Sequence, residues 1–235
     1  MLIAYGTCAV YGGVPGAALA HSPDEILDCA YRDNPTTRGD TVPDRFVAGL
    51  NAQIVPLDEI VEVDLYLPGC PPHAAFIFDA LINQIEGRPV RATGRTVCAR
   101  CDRVMKKTDV AAIRQQHEAV PEAGVCLLSQ GFLCMGSVTL DRCLAPCPQR
   151  GVVCSGCAGP TLQILTEPNR DIRTEIADRM SRLTAIPASE VVTAIEGSAK
   201  CHYAYSMASK MVGQKPTFLI HKWIAEVEQQ HGAKD

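Results

Sequence analysis

The chain has 235 residues, 47% of them apolar and 20% charged, with a net charge of −4 and a pI near 5.9. That balance suits one large or two small globular domains and argues against a dedicated nucleic-acid or anionic-membrane surface. Aromatics, at 5%, are too few for a base-stacking platform. No stretch reaches the ~20 apolar residues of a membrane span, and Met1–Gly6 lacks the basic region of a signal peptide. The twelve cysteines are therefore expected in a reducing, cytoplasmic compartment, where disulfides rarely persist.

In chain order, residues 2–5 read as a short buried strand running into Gly6-Thr7-Cys8-Ala9-Val10-Tyr11-Gly12-Gly13-Val14-Pro15-Gly16. Four glycines and a proline in eleven residues predict a tight loop at a strand's carboxyl end, where ligands sit in open α/β sheets. A helix follows, with Ser22 as N-cap, Pro23 at its first position, and Glu25 completing a capping box. It carries Ile26, Leu27 and Cys29 and is expected to end at Asn34-Pro35, with Cys29 a small buried apolar residue. Residues 36–52 predict a surface loop with a short helix. Ile60–Leu67 alternates like a strand and delivers Pro68-Gly69-Cys70-Pro71-Pro72, whose prolines hold Cys70 rigidly. That reads as a metal ligand. Ala74–Glu86 has helical spacing and stops at Gly87.

From Arg91 the composition changes, and a domain boundary is expected there. Eight cysteines fall within the sixty residues from Cys98 to Cys157: Cys98, Cys101, Cys126, Cys134, Cys143, Cys147, Cys154 and Cys157. A helix over about Thr108–Glu118 is predicted between Cys101 and Cys126. After Gly159-Pro160 three helical segments are expected, Asp171–Leu183, Ser189–Met211 and Pro216–Gln230. Cys201 on the second reads as packing and is left out of the site.

Eight is two sets of four, the number that a tetrahedral zinc or a cubane iron–sulfur cluster requires. Proximity divides them into Cys98, Cys101, Cys126, Cys134 and Cys143, Cys147, Cys154, Cys157. The first set alone could pass for a zinc ribbon; the second, with three closely spaced elements, suits one less well. Interleaved glycines, with amides free to donate to sulfides, and flanking Pro146 and Pro160 favour iron–sulfur. A zinc-stabilised interaction module without redox activity stays open as the alternative.

Three stretches together resemble a known family: Gly6-Thr7-Cys8-Ala9-x-x-Gly12-Gly13, Pro68-Gly69-Cys70-Pro71-Pro72, and the eight-cysteine block. They are similar to the small (gamma/G-type) electron-transferring subunit of cytoplasmic [NiFe] hydrogenases of the F420-reducing and F420-non-reducing types. The first two motifs also recur in the related 20 kDa subunit of NADH:quinone oxidoreductase, which lacks the block. The resemblance implies an α/β fold: the C-terminal part of a flavodoxin-like domain (1–92), an irregular two-[4Fe–4S] domain (93–160) and a helical C-terminal region (161–235). It implies that Cys98, Cys101, Cys126 and Cys134 bind a distal cluster, with Cys98 where many members carry histidine. Cys143, Cys147, Cys154 and Cys157 would bind a medial one, and Cys147 replaces the proline that accompanies a [3Fe–4S] form. Cys8 and Cys70 would be ligands of a proximal cluster. In the family its other two ligands come from a Cys-x-x-Cys near the start of the flavodoxin-like domain, and no cysteine precedes Cys8 here. A gene start placed too late, a split gene, or a subunit without a proximal cluster would each account for that. The implied function is electron relay from a [NiFe]-type large subunit to a flavin or heterodisulfide-reductase-type partner. A large subunit without a [NiFe] site is a further alternative.

Overall fold

The computed structural model describes residues 1–36, 41–90, 94–197 and 204–210. Strand β1, Ile3–Tyr5, is a three-residue segment whose Ala4 is fully buried. It runs directly into α1, Gly6–Tyr11, so the loop expected there is helical. The glycines explain this: they stand at the ends, leaving Thr7–Tyr11 free of them. Gly12, at φ 82°, takes the left-handed C-cap conformation and donates its N–H to the Cys8 carbonyl. After a 3₁₀ stretch (Val14–Ala20) comes α2, Pro23–Tyr31, with the capping box on Ser22 and Glu25 intact. It ends before Asn34-Pro35 because the Asn34 amide bonds back to the carbonyls of Cys29 and Ala30, at 3.2 and 2.8 Å. Cys29 is exposed, not buried as expected: no residue of α2 is fully buried, and Cys29 lies outside its half-buried face of Ile26 and Leu27. Residues 41–52 hold no helix.

The strand expected over Ile60–Leu67 shrinks to β2, Leu65–Leu67. Leu57–Glu59 winds into a 3₁₀ turn that captures the Ile60 and Val61 amides, and Asp64 instead receives the Leu2 N–H on its carboxylate at 2.6 Å. Strands β1 and β2 pair in parallel, Ile3 opposite Leu65 and Tyr5 opposite Leu67. Both carboxyl ends therefore point the same way and deliver the Cys8 and Cys70 segments side by side. Helix α3, Ala74–Ile85, forms as expected, with the His73 Nδ1 accepting from the Ala75 N–H at its start. Of α3 only Ala80 is buried; Phe78, Ile82 and Ile85 are exposed.

From residue 94 the chain is irregular, tied by isolated bridges such as Thr96–Leu140 and Thr139–Pro160. The helix expected over Thr108–Glu118 is absent, because its backbone groups are taken by distant partners. Thr108 donates to Leu183 O, Arg114 donates to Gly131 O, and Val110 O accepts from Ala185, each at 2.9 Å. Two short helices follow, α4, Pro146–Gln149, and α5, Leu162–Thr166. Then come α6, Ile172–Leu183, capped by Asp171, and α7, Ala188–Gly197. The helix predicted to reach Met211 breaks up: residues 204–208 are a turn. Cys201 and residues 216–230 lie outside the described residues.

The main core joins the cysteine segment to these helices. Phe132, Leu127, Leu128 and Met135 pack with Ile176, Met180, Ile186, Val191 and Ile195, and Cys134 and Cys154 belong to the same cluster. A smaller core of Ala4, Val10 and Tyr11 underlies the sheet. Among the described residues no helix is long and apolar enough to cross a membrane.

Candidate metal centre

The first four cysteines are brought together by three backbone devices. The Thr96 hydroxyl caps the 3₁₀ turn Val97–Arg100, accepting from the Ala99 N–H, and this turn presents Cys98 and closes on Cys101. Next to it the Val104 N–H bonds Gly124 O, and the Cys126 N–H bonds Val104 O, both at 2.8 Å, so Cys126 is laid beside the Cys101 strand. Cys134 opens a third turn, Met135–Ser137. Gly136 faces the group without a side chain: a Cβ there would stand 3.2 Å from Cys98 Sγ and 3.7 Å from Cys134 Sγ.

Electrostatics report the same grouping. Burial pushes the Cys98 thiol up from 9.0 to about 12, and the nearby Cys134, Cys126 and Cys101 sulfurs add to the rise. Cys134 is pushed up to about 11, again mainly by burial, while the Cys154 and Gly136 amides oppose it. These are the four residues of the first set.

The second set is built around a left-handed corner. Leu144 and Ala145 both have positive φ, 62° and 57°, a costly conformation for residues with a Cβ. The corner turns the chain into α4 and brings Cys147 back toward Cys143, whose thiol is raised by burial, then by Asp141 and Cys147, against the Ala145 amide. Cys157 is pushed up to about 11 by burial, reinforced by Cys143, Cys147 and Cys70. Cys154 is raised by burial and next by Cys134, with Cys157 a weaker neighbour. Its N–H also donates to Cys134 Sγ at 3.3 Å, and its carbonyl accepts from Met135 at 2.9 Å. The Cys154-Ser155-Gly156-Cys157 loop thus bonds the first set at one end and lies in the field of Cys70 at the other.

Thr7 locks the third group to the second. Its hydroxyl donates to Cys157 O at 2.6 Å and accepts from the Gly69 N–H at 2.8 Å, while its own N–H bonds Gly69 O at 2.9 Å. Cys8 and Cys70 each neighbour one of these residues in the chain, and Cys157 is itself one of them. Cys8 and Cys70 remain exposed. Tyr11 packs so tightly against Gly159 that a Cβ there would lie 2.1 Å from its ring. Gly159 reads in the sequence as a glycine beside the sulfurs, but Thr7 does not stand out as a site residue. A threonine set between Gly6 and the ligand candidate Cys8 is the signal that could have shown it.

Eight soft thiol donors in two mutually sensing groups, with glycine and backbone amides against the sulfurs, fit iron–sulfur ligation. Among the described residues no three His, Cys, Asp or Glu side chains close around a single-ion position. The raised thiols have a consequence for the cluster-free chain. They hold their protons to higher pH folded than unfolded, so the stability they contribute is full below pH 9 and is lost as pH rises through the folded values of about 11 to 12. Thermal unfolding of cluster-free protein at about pH 7 and about pH 10 is expected to show the lower Tm at the higher pH.

Residues 1–84 match the family model of the NADH ubiquinone oxidoreductase 20 Kd subunit. The G-type subunit of the F420-non-reducing hydrogenase of Methanothermobacter marburgensis is 30% identical over 220 residues, 91% of this chain and 71% of that protein. The corresponding iron–sulfur subunit of the F420-non-reducing hydrogenase of Archaeoglobus profundus is 33% identical over 241 aligned positions, 92% of this chain and 73% of that protein. Among solved structures, an NAD+-reducing [NiFe]-hydrogenase in the H2-reduced state has a chain 34% identical, covering 39% of this chain and 52% of that one, at a TM-score of 0.37.

Proposed function

Because the chain belongs to the family of G-type small subunits of F420-non-reducing hydrogenases, we propose that it is the electron relay of a hydrogenase-type complex. Cys98, Cys101, Cys126 and Cys134 hold a distal [4Fe–4S] cluster, and Cys143, Cys147, Cys154 and Cys157 hold a medial one. Cys8 and Cys70 supply half the ligands of a proximal cluster, completed by residues beyond those two. The clusters supply one-electron redox chemistry when bound; the chain's task is to hold them in line and exclude water. Electrons enter from a [NiFe]-type large subunit on the Cys8/Cys70 side. They leave past the first cysteine set to a flavin or heterodisulfide-reductase-type partner.

The observation that carries this reading is that one loop neighbours the cysteine groups on either side of it. Cys70 lies in the field of Cys157, and Cys154 donates its N–H to the sulfur of Cys134. Three cysteine groups joined in succession through a four-residue loop suit a relay, and a structural zinc module has no need of them. Burial of Cys134 and Cys154 in the main core supports it further, since low solvent access tunes a cluster's potential. Protein purified anaerobically is expected to be brown and to lose visible absorbance on reduction. Zinc is d¹⁰ and colourless, so colourless metal-loaded protein would overturn the relay.

A further inference from the structure

Thr139 lies between the two cysteine sets in the chain and is 2% exposed. Its backbone is fixed on both sides. The Thr139 carbonyl accepts the Val97 N–H at 2.9 Å, one residue before Cys98, and Thr139 bridges Pro160, three residues after Cys157. Its hydroxyl donates to the Met135 carbonyl at 2.6 Å, and the Met135 N–H in turn bonds the Cys154 carbonyl at 2.9 Å. The same hydroxyl is within hydrogen-bond reach of the Cys154 sulfur, where it joins the Gly156 amide in favouring the thiolate. Two acceptors thus compete for one O–H, a neutral carbonyl and a sulfur that carries charge when it binds iron. A hydrogen bond to a charged acceptor is about twice as strong as one between neutral groups. Cys154 is buried in the main core, which shields that bond from competing water.

We infer that Thr139 sets the reduction potential of the cluster bound through Cys154, its hydroxyl turning from the Met135 carbonyl to the Cys154 sulfur and making that cluster easier to reduce. The inference rests on the cluster reading above. Adding an electron puts more negative charge on the sulfurs, so an O–H aimed at one of them stabilises the reduced form more than the oxidised one. Only the hydroxyl hydrogen has to rotate, and the pinned backbone stays where it is. Thr139 is therefore a positioning residue that acts through a ligand without touching iron.

The test is a redox titration followed by electron paramagnetic resonance, on the full chain purified anaerobically with its co-eluting partner, with iron and sulfide measured alongside. In Thr139→Val, which keeps the shape and removes the hydroxyl, iron is expected unchanged and one cluster's midpoint shifted to lower potential. Thr139→Ser is expected to keep the wild-type midpoint. Loss of the bond to Met135 lowers the Tm of Thr139→Val in either case, so the potential and not the Tm decides. At full iron, an unmoved or raised midpoint in Thr139→Val, or a Thr139→Ser midpoint that falls with it, overturns the inference and leaves the cluster reading standing. Wild-type protein without sulfide fails the cluster reading itself, and the inference with it. Should Thr139→Val lose iron, Thr139→Ala takes its place and must fall below Thr139→Ser in potential. Iron loss in both hydroxyl-free variants overturns the inference, because the hydroxyl then holds the loop together instead of tuning the cluster.

Discussion

Cys154→Ser is expected to cost about four iron and four sulfide per chain, one cubane's worth, and to lower the Tm more than any other single cysteine change. Two effects combine. Serine is a poor ligand for iron, and metal-binding energy at such sites doubles as folding energy. Cys154 is also 6% exposed inside the main core, and its N–H and carbonyl link Cys134 to Met135. A hydroxyl there is more polar than the thiol it replaces at a buried position, although Thr139 and the Gly156 amide are in reach of it. The electron paramagnetic resonance signal of the first set should change as well, because Cys154 sits against Cys134 Sγ. Cys29→Ser is the control: Cys29 is exposed and far in sequence from the eight-cysteine block, so iron and Tm should stay unchanged. Iron loss there would mean the ligand assignment is wrong.

Thr7→Val carries the second large effect. Valine keeps the shape of threonine but removes the hydroxyl that donates to Cys157 O and accepts from Gly69 N. Thr7 is 1% exposed, so the buried Gly69 N–H is left unpaired and the part-buried Cys157 carbonyl loses its partner. At ~1–3 kcal/mol for the buried group and about 1 kcal/mol for the part-buried one, the loss of stability in denaturant unfolding should reach about 2–4 kcal/mol. Thr7→Ser, which keeps the hydroxyl, should lie close to wild type. The change also frees the Cys8 and Cys70 segments from Cys157, so alkylation of Cys8 and Cys70 should quicken. A Thr7→Val protein as stable as wild type would show that this pin does not hold the groups together.

How much of this was legible in the sequence follows from where each signal lives. The Ser22/Glu25 capping box and the α3 spacing are local chemistry, and both formed as read. Thr108–Glu118 failed because its apolar residues, Val110 and Ile113, carry the spacing of a helix while their backbone partners, Leu183, Ala185 and Gly131, lie far along the chain. The strand over 60–67 shortened because β1 offers only three residues to pair with. All eight block cysteines were identifiable by residue type and clustering. Their wiring was not: Cys154 is tied to Cys134 across twenty residues of irregular chain. Cys29 misled because a free cysteine on an amphipathic helix usually faces a core, and here none of the described residues covers it. Thr7 sits inside the first cysteine motif, yet only the folded chain shows its hydroxyl bridging two cysteine groups.

The most direct test of the central claim is iron and acid-labile sulfide per chain, measured anaerobically on protein purified with whatever co-elutes. About eight of each is expected from the two cubanes on the eight-cysteine block alone, when nothing that completes the Cys8/Cys70 site co-elutes. About twelve, together with an additional polypeptide or a longer N-terminus in the mass spectrum, would mean that the Cys8/Cys70 cluster is completed as proposed. Stoichiometric zinc without sulfide would contradict the electron relay outright.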